Sequence, residues 1–173
     1  MTEVLSTICA AVYLGGLIAA AGYDLVSYTI PNRIVLLVAL AGAVGLVAGT
    51  PDLSRLAQTA GVAVVVLAVG ALLFALKLWG AGDAKLLAAA ALATGTKGLP
   101  ALVLWTVLAG GAIAGGLLIL RRTSTAKQMQ RNRVFGSLFA AEKGIPYGVA
   151  IAVGGIVALI QGGTTFTGRL IEP

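Results

Sequence analysis

Val4 to Tyr23 is an unbroken run of twenty residues without a charge. At 1.5 Å per residue, a helix of that length crosses the ~30 Å hydrocarbon core of a bilayer. Further apolar runs follow at 34–50, 56–76, 99–120 and 146–160. Charged residues make up 10% of the chain. Soluble domains carry about 25%, so this chain has too few charges to cover a water-facing surface. Runs of this length in lipid must satisfy their own backbone groups, and helices do so. The expected fold is therefore all-α: a polytopic membrane protein with a single transmembrane domain over residues 1–173. A cleaved signal peptide is disfavoured for the first run, because Glu3 precedes it and no lysine or arginine does.

Composition narrows the chemistry. The chain has no histidine and one cysteine, Cys9. Serine–histidine and cysteine–histidine mechanisms, disulfides within the chain and paired-cysteine zinc sites are thereby excluded. No cofactor or metal is expected, and acid–base work falls to carboxylates, lysines or tyrosines. The net charge of +6 sits between the apolar runs. It reads as a signal for orientation in the membrane rather than for nucleic acid.

The breaks between runs set the topology. Pro31 biases Ile30 away from helix, and Asn32 can hold the turn or cap the next helix. Asp52 reads as a cap for the third run. Only eleven uncharged residues separate Lys85 from Lys97, too few for a full span. That segment is either re-entrant or a short fourth helix with both lysines reaching opposite surfaces. Charge bias favours the helix. With six crossings, Arg33, Lys77, Lys85, Arg121, Arg122, Lys127, Arg131, Arg133 and Lys143 share one side, and Arg55, Lys97 and Arg169 the other. Basic residues concentrate on the cytoplasmic side. Six helices with both ends outside are therefore expected, the fourth short and the fifth entered through Pro100.

Six acids exist: Glu3, Asp24, Asp52, Asp83, Glu142 and Glu172. In this topology Asp24 trails the first helix and Asp83 opens the fourth, both at cytoplasmic ends. Two carboxylates meeting in a poorly solvated place cannot both ionise cheaply, so they share a proton. One can then take a proton from water while the other gives one to the carbonyl under attack, the division of labour of aspartic proteases. Gly80 and Gly82 allow an extended or positive-φ backbone and leave room for a substrate beside Asp83. A helix N-terminus is also a favourable place for a carboxylate. Lys85 reads first as a membrane-surface anchor and second as a substrate contact. Two other readings stay open: helix caps with no chemistry, or a transporter whose acids relay protons or bind cations.

The motif Gly80-Ala81-Gly82-Asp83, continued by Ala84-Lys85-Leu86, resembles the GxGD motif of the type IV prepilin peptidases. So does Asp24 ahead of Ile30-Pro31-Asn32-Arg33, and so does Ile145-Pro146-Tyr147-Gly148-Val149-Ala150 at the last helix. The resemblance implies that Asp24 and Asp83 are the catalytic pair of an intramembrane aspartic endopeptidase, with Gly80, Gly82, Lys85, Pro31 and Asn32 shaping the site. It implies cleavage of prepilin leaders at the cytoplasmic face of the bacterial inner membrane, with a prepilin-like membrane protein and lipid as partners. The chain has no paired cysteines and begins directly with a span, which resembles the short form found with tight-adherence (Flp-type) pili, without methylation. Ser27, Tyr28 and Thr29 stand where many relatives carry basic residues, and Ala81 replaces a common glycine.

The basic loop 121–144 contacts anionic lipid head groups on one reading and docks the substrate on the other. Charge reversal at Arg131 and Arg133 discriminates: processing by correctly inserted protein is unchanged under the first reading and weakened under the second.

Overall fold

A computed structural model describes residues 2–49, 52–121, 144–162 and 166. The basic loop beyond Arg121, with Glu142, and the C-terminal tail, with Arg169 and Glu172, lie outside the described residues. The elements are α1 (Thr2–Ser27), α2 (Asn32–Gly49), α3 (Leu53–Ala75), α4 (Ala81–Arg121) and α5 (Tyr147–Ile160). The first four are long and apolar enough to cross a membrane, and α5 is a shorter apolar helix. No strand occurs among the described residues.

Local chemistry sets the boundaries. Asp52 caps α3, its carboxylate accepting from the Ser54 amide at 2.9 Å and the Ser54 hydroxyl at 3.0 Å. The Pro31 carbonyl accepts from the Ile34 and Val35 amides and so opens α2. Asn32 does not cap α2 as the sequence suggested; its Oδ1 accepts from Lys85 Nζ at 3.2 Å instead. Ser27 and Thr29 hydroxyls close the end of α1: Ser27 Oγ donates to the Tyr23 carbonyl, and Thr29 Oγ1 to Ser27 Oγ.

The expected fourth and fifth helices appear as two arms of α4, not as separately bounded elements. A straight helix of 41 residues would be about 61 Å long. Yet both arms return to one level. A Cβ added at Gly82 would lie 3.4 Å from Ile30, and one added at Gly110 would lie 3.1 Å from the Tyr147 ring, whose neighbour Gly148 also abuts Ile30. The reversal falls at Gly95, with φ 64° and ψ −171°. That region of backbone space is essentially glycine-only. The expected boundary at Lys97–Pro100 is thus corrected: Pro100 lies inside the helix.

The first arm of α4 is the core of the bundle. Ala84, Leu86, Ala88, Ala89, Ala90, Ala91 and Ala93 are all buried, so the arm is covered on every side. Small side chains allow that close approach. The second arm packs on α5, where Leu102 and Thr106 abut Gly154. α1 packs on α2 and α5, with Tyr13, Leu17 and Ile151 fully buried. α3 packs on α4 alone among the principal contacts and buries only Thr59 and Gly70. Its Val64, Val65, Leu72 and Phe74 are exposed, as lipid-facing residues are. Gly111 and Gly115, four residues apart as in close-packing small-residue pairs, meet nothing among the described residues, whereas Gly45 seats the Phe166 ring.

Replacing Gly95 by alanine is expected to cost about 1–3 kcal/mol through backbone strain alone. Gly15→Ala, where a Cβ meets nothing, is neutral. Thermal unfolding of both variants in detergent checks the contrast.

Candidate active site

Asp24 lies in the last turn of α1 and is 4% exposed. A buried carboxylate needs hydrogen-bond donors. The donor comes from the far end of the chain: the Gly148 amide donates to Asp24 Oδ2 at 2.6 Å. Gly148 is the second residue of α5, whose N-cap position is Pro146 and offers no side-chain cap. The first amides of a helix lack partners within it. Asp24 therefore caps α5 from across the bundle, with the helix dipole in its favour. Glycine is required at the contact, since a Cβ at 148 would stand 2.9 Å from Asp24 Oδ2 and 3.0 Å from Ile30 Cδ1.

Asp83 is the third residue of α4. The Gly80 carbonyl accepts from the Ala84 amide at 3.1 Å, which makes Gly80 the N-cap. The Asp83 carboxylate reaches back to the Gly80 amide. This is the reach-back half of a capping box. A Cβ on residue 80 would lie 2.6 Å from Asp83 Oδ2, so glycine there admits the folded-back side chain. Both acids thus rest on helix N-termini, Asp83 on its own and Asp24 on that of α5.

The two acids, 59 residues apart in the chain, line one cavity of about 550 Å³. Tyr28, Lys77, Trp79 and Tyr147 line it as well. The Trp79 and Tyr147 rings meet edge to face, centroids 6.2 Å apart at 82°. The Trp79 indole N–H is buried and has no acceptor among the described residues. Tyr28 and Lys77 have φ of 54° and 58°, and are the described non-glycine residues in the left-handed region. Left-handed backbone costs an L-residue about 1–2 kcal/mol. At Lys77 the cause is visible: the Leu78 amide bonds to the Leu73 carbonyl and the Lys77 amide to the Phe74 carbonyl. That is the Schellman closure of a helix, where the left-handed position is usually glycine.

Of the other residues singled out in the sequence, Gly80 lines the cavity, and Gly82, Pro31, Asn32 and Lys85 do not. Gly82 packs on Ile30, and Lys85 joins α4 to α2 through Asn32. Gly148, Tyr147, Trp79 and Tyr28 carried no site role in the sequence, and Lys77 carried only its part in the charge bias. The Ile145–Ala150 segment pointed to the first two without saying what they touch. A lysine closing an apolar run reads as a surface anchor, which hid Lys77.

The sequence model of the type IV leader peptidase family matches residues 11–115. The chain belongs to the type IV leader peptidase family. The family implies a peptidase, and with the apolar helices it makes this an integral membrane protease. The match spans both acids and the Gly80–Asp83 turn, and it ends before the helix that supplies the Gly148 amide. No curated protein and no solved structure matches the chain.

Gly148→Val is expected to destabilise the protein by about 1–3 kcal/mol through overpacking against Asp24 and Ile30. Thermal unfolding measures it, with Gly144→Val, where a Cβ meets nothing, as the unaffected reference.

Proposed function

We propose that Asp24 and Asp83 are the catalytic dyad of an aspartic endopeptidase that removes the leader of prepilin-like membrane proteins at the cytoplasmic edge of the bilayer. One observation carries the reading: two acids from opposite parts of the chain line a single cavity in a member of a leader peptidase family. The chain holds no histidine to serve as base. The pair alone can divide the work.

The scissile carbonyl lies between the carboxyl groups with a water molecule beside it. One carboxylate takes a proton from water, and the water oxygen bonds to the carbonyl carbon. The other carboxyl gives its proton to the carbonyl oxygen. Collapse of the tetrahedral intermediate breaks the C–N bond. A proton passes to the leaving amine, which becomes the new N-terminus. Asp24 Oδ2 is committed to the Gly148 amide, so proton exchange at Asp24 falls to its other oxygen. The amide fixes the carboxylate for the reaction, since reacting groups must be held to within about half an ångström.

The reversal at Gly95 supports six crossings, counting the arms of α4 separately, with both ends outside. On that count the charge bias supports a cytoplasmic position for the cavity.

Asp24→Asn and Asp83→Asn each keep size and hydrogen bonding but cannot exchange the proton. Each is expected to abolish cleavage of a co-expressed prepilin, by a factor of about 10⁴ or more, while inserting normally. Appearance of the shortened pilin on a gel reads the result, and full activity in either variant overturns the dyad. Reporter fusions within the loop at residue 130 are expected to report a cytoplasmic position, and those near residue 52 the opposite side.

A further inference from the structure

We infer that Lys77 is a substrate-binding residue whose ammonium holds a carboxylate of the peptide at the two-acid cavity; the inference rests on the proteolytic reading above. Among the described residues lining that cavity, Lys77 is the one cation, facing a space that two carboxylates also line. Its ammonium makes no hydrogen bond or ion pair among the described residues, whereas Lys85, two residues beyond Asp83, is tied to Asn32. A cation at a cavity wall with no acceptor among the described residues is open to an anionic ligand.

The backbone supplies the second, independent argument. Lys77 occupies the left-handed position of the Schellman closure of α3 at φ 58°. Glycine would close that helix without strain. Strained residues of this kind gather at ligand clamps, where the surroundings hold them in place. Tyr28, the other described non-glycine residue at positive φ, closes α1 and lines the same cavity. Two helices thus end on strained side-chain-bearing residues at one cavity, where glycine would have served the turns.

A cavity with two acids repels any further negative charge. Peptide hydrolysis nevertheless generates one, because the scissile carbonyl leaves as the C-terminal carboxylate of the released leader. An acidic side chain near the scissile bond brings another. Either is a carboxylate that an ammonium binds with a charge-assisted hydrogen bond. Lys77 in the cavity lining offsets that repulsion.

The left-handed backbone makes the test clean, because Lys77→Gly removes the side chain and suits the turn. The experiment is cleavage of a prepilin by purified protein in detergent, with thermal unfolding alongside. Lys77→Gly and Lys77→Gln are expected to lose about ten- to a hundredfold, as for a charged hydrogen bond, in kcat/KM where the carboxylate is a substrate side chain and in affinity for the released leader where it is the product's. Lys77→Gly is expected to unfold no earlier than the wild type, and Lys77→Arg to keep most activity. The source of the carboxylate is read separately. If it is an acidic side chain, neutralising that residue in the substrate lowers kcat/KM, and the loss does not add to that of Lys77→Gly. If it is the product, free leader peptide inhibits the wild type more strongly than Lys77→Gly, and its C-terminal amide inhibits neither. Lys77→Gly with wild-type kcat/KM and wild-type product inhibition overturns the inference and leaves the dyad standing. A wild-type protein that cleaves nothing, or one insensitive to Asp83→Asn, overturns the proteolytic reading and this inference with it.

Discussion

The hydrogen bond from the Gly148 amide to Asp24 joins the last described helix to the first, across 124 residues of chain. A carboxylate as buried as Asp24 is tolerated where donors meet it, and the loss of a partner leaves an uncompensated polar group. An N-terminal amide of α5 is such a donor, and it needs such an acceptor in turn. The rotation of α5 about its axis follows from this pairing. Gly148 faces Asp24, and about two turns on Gly154 and Gly155 face Thr106 and the Tyr13 ring. The same register that satisfies the carboxylate thereby brings Tyr147 against Trp79 and completes the wall of the cavity.

The alanine-rich first arm of α4 performs the complementary task. Asp83 can share a cavity with Asp24 only if its helix runs through the bundle, where α2 closes on it at Ala93 and α3 at Ala84. Alanines at 84, 88–91 and 93 make that arm narrow enough to be surrounded. Gly42 lets α2 close on Ala93, and Gly70 lets α3 close on Ala84. Gly95 then turns the chain back so that the second arm covers α5. A bulkier arm would push α2 and α3 outward and leave Asp83 at an edge rather than on a cavity wall.

Departures from ordinary local preference cluster around the two acids. Two side chains in left-handed backbone and a buried indole N–H without an acceptor all belong to the cavity lining. Elsewhere Asp52 caps a helix, Pro31 opens one and lipid-facing positions are apolar, although the buried Tyr13 and Thr106 hydroxyls also lack partners among the described residues. Conflicts such as those at the cavity are expected where a protein gives up stability for binding or chemistry. On the proteolytic reading, they mark the surface that meets the peptide.

Hydropathy, charge and turn chemistry are local properties, and what depends on them was legible in the amino-acid sequence. The helical membrane class, the break at Pro31, the cap at Asp52, and Asp24 and Asp83 at helix ends all follow from residues within a few positions of each other. The reversal between the arms of α4 was legible in outline from the lysine spacing, but its place was not. A proline is a visible signal, whereas Gly95 is one glycine among 24 and becomes a hinge only through its backbone angles. Tertiary structure alone decided what the two acids touch. The amide that meets Asp24, the aromatic pair beside Asp83 and the position of Lys77 come from helices far apart in the chain. Only the packing of small residues around α4 brings them to one place, and no local pattern encodes a distance between them.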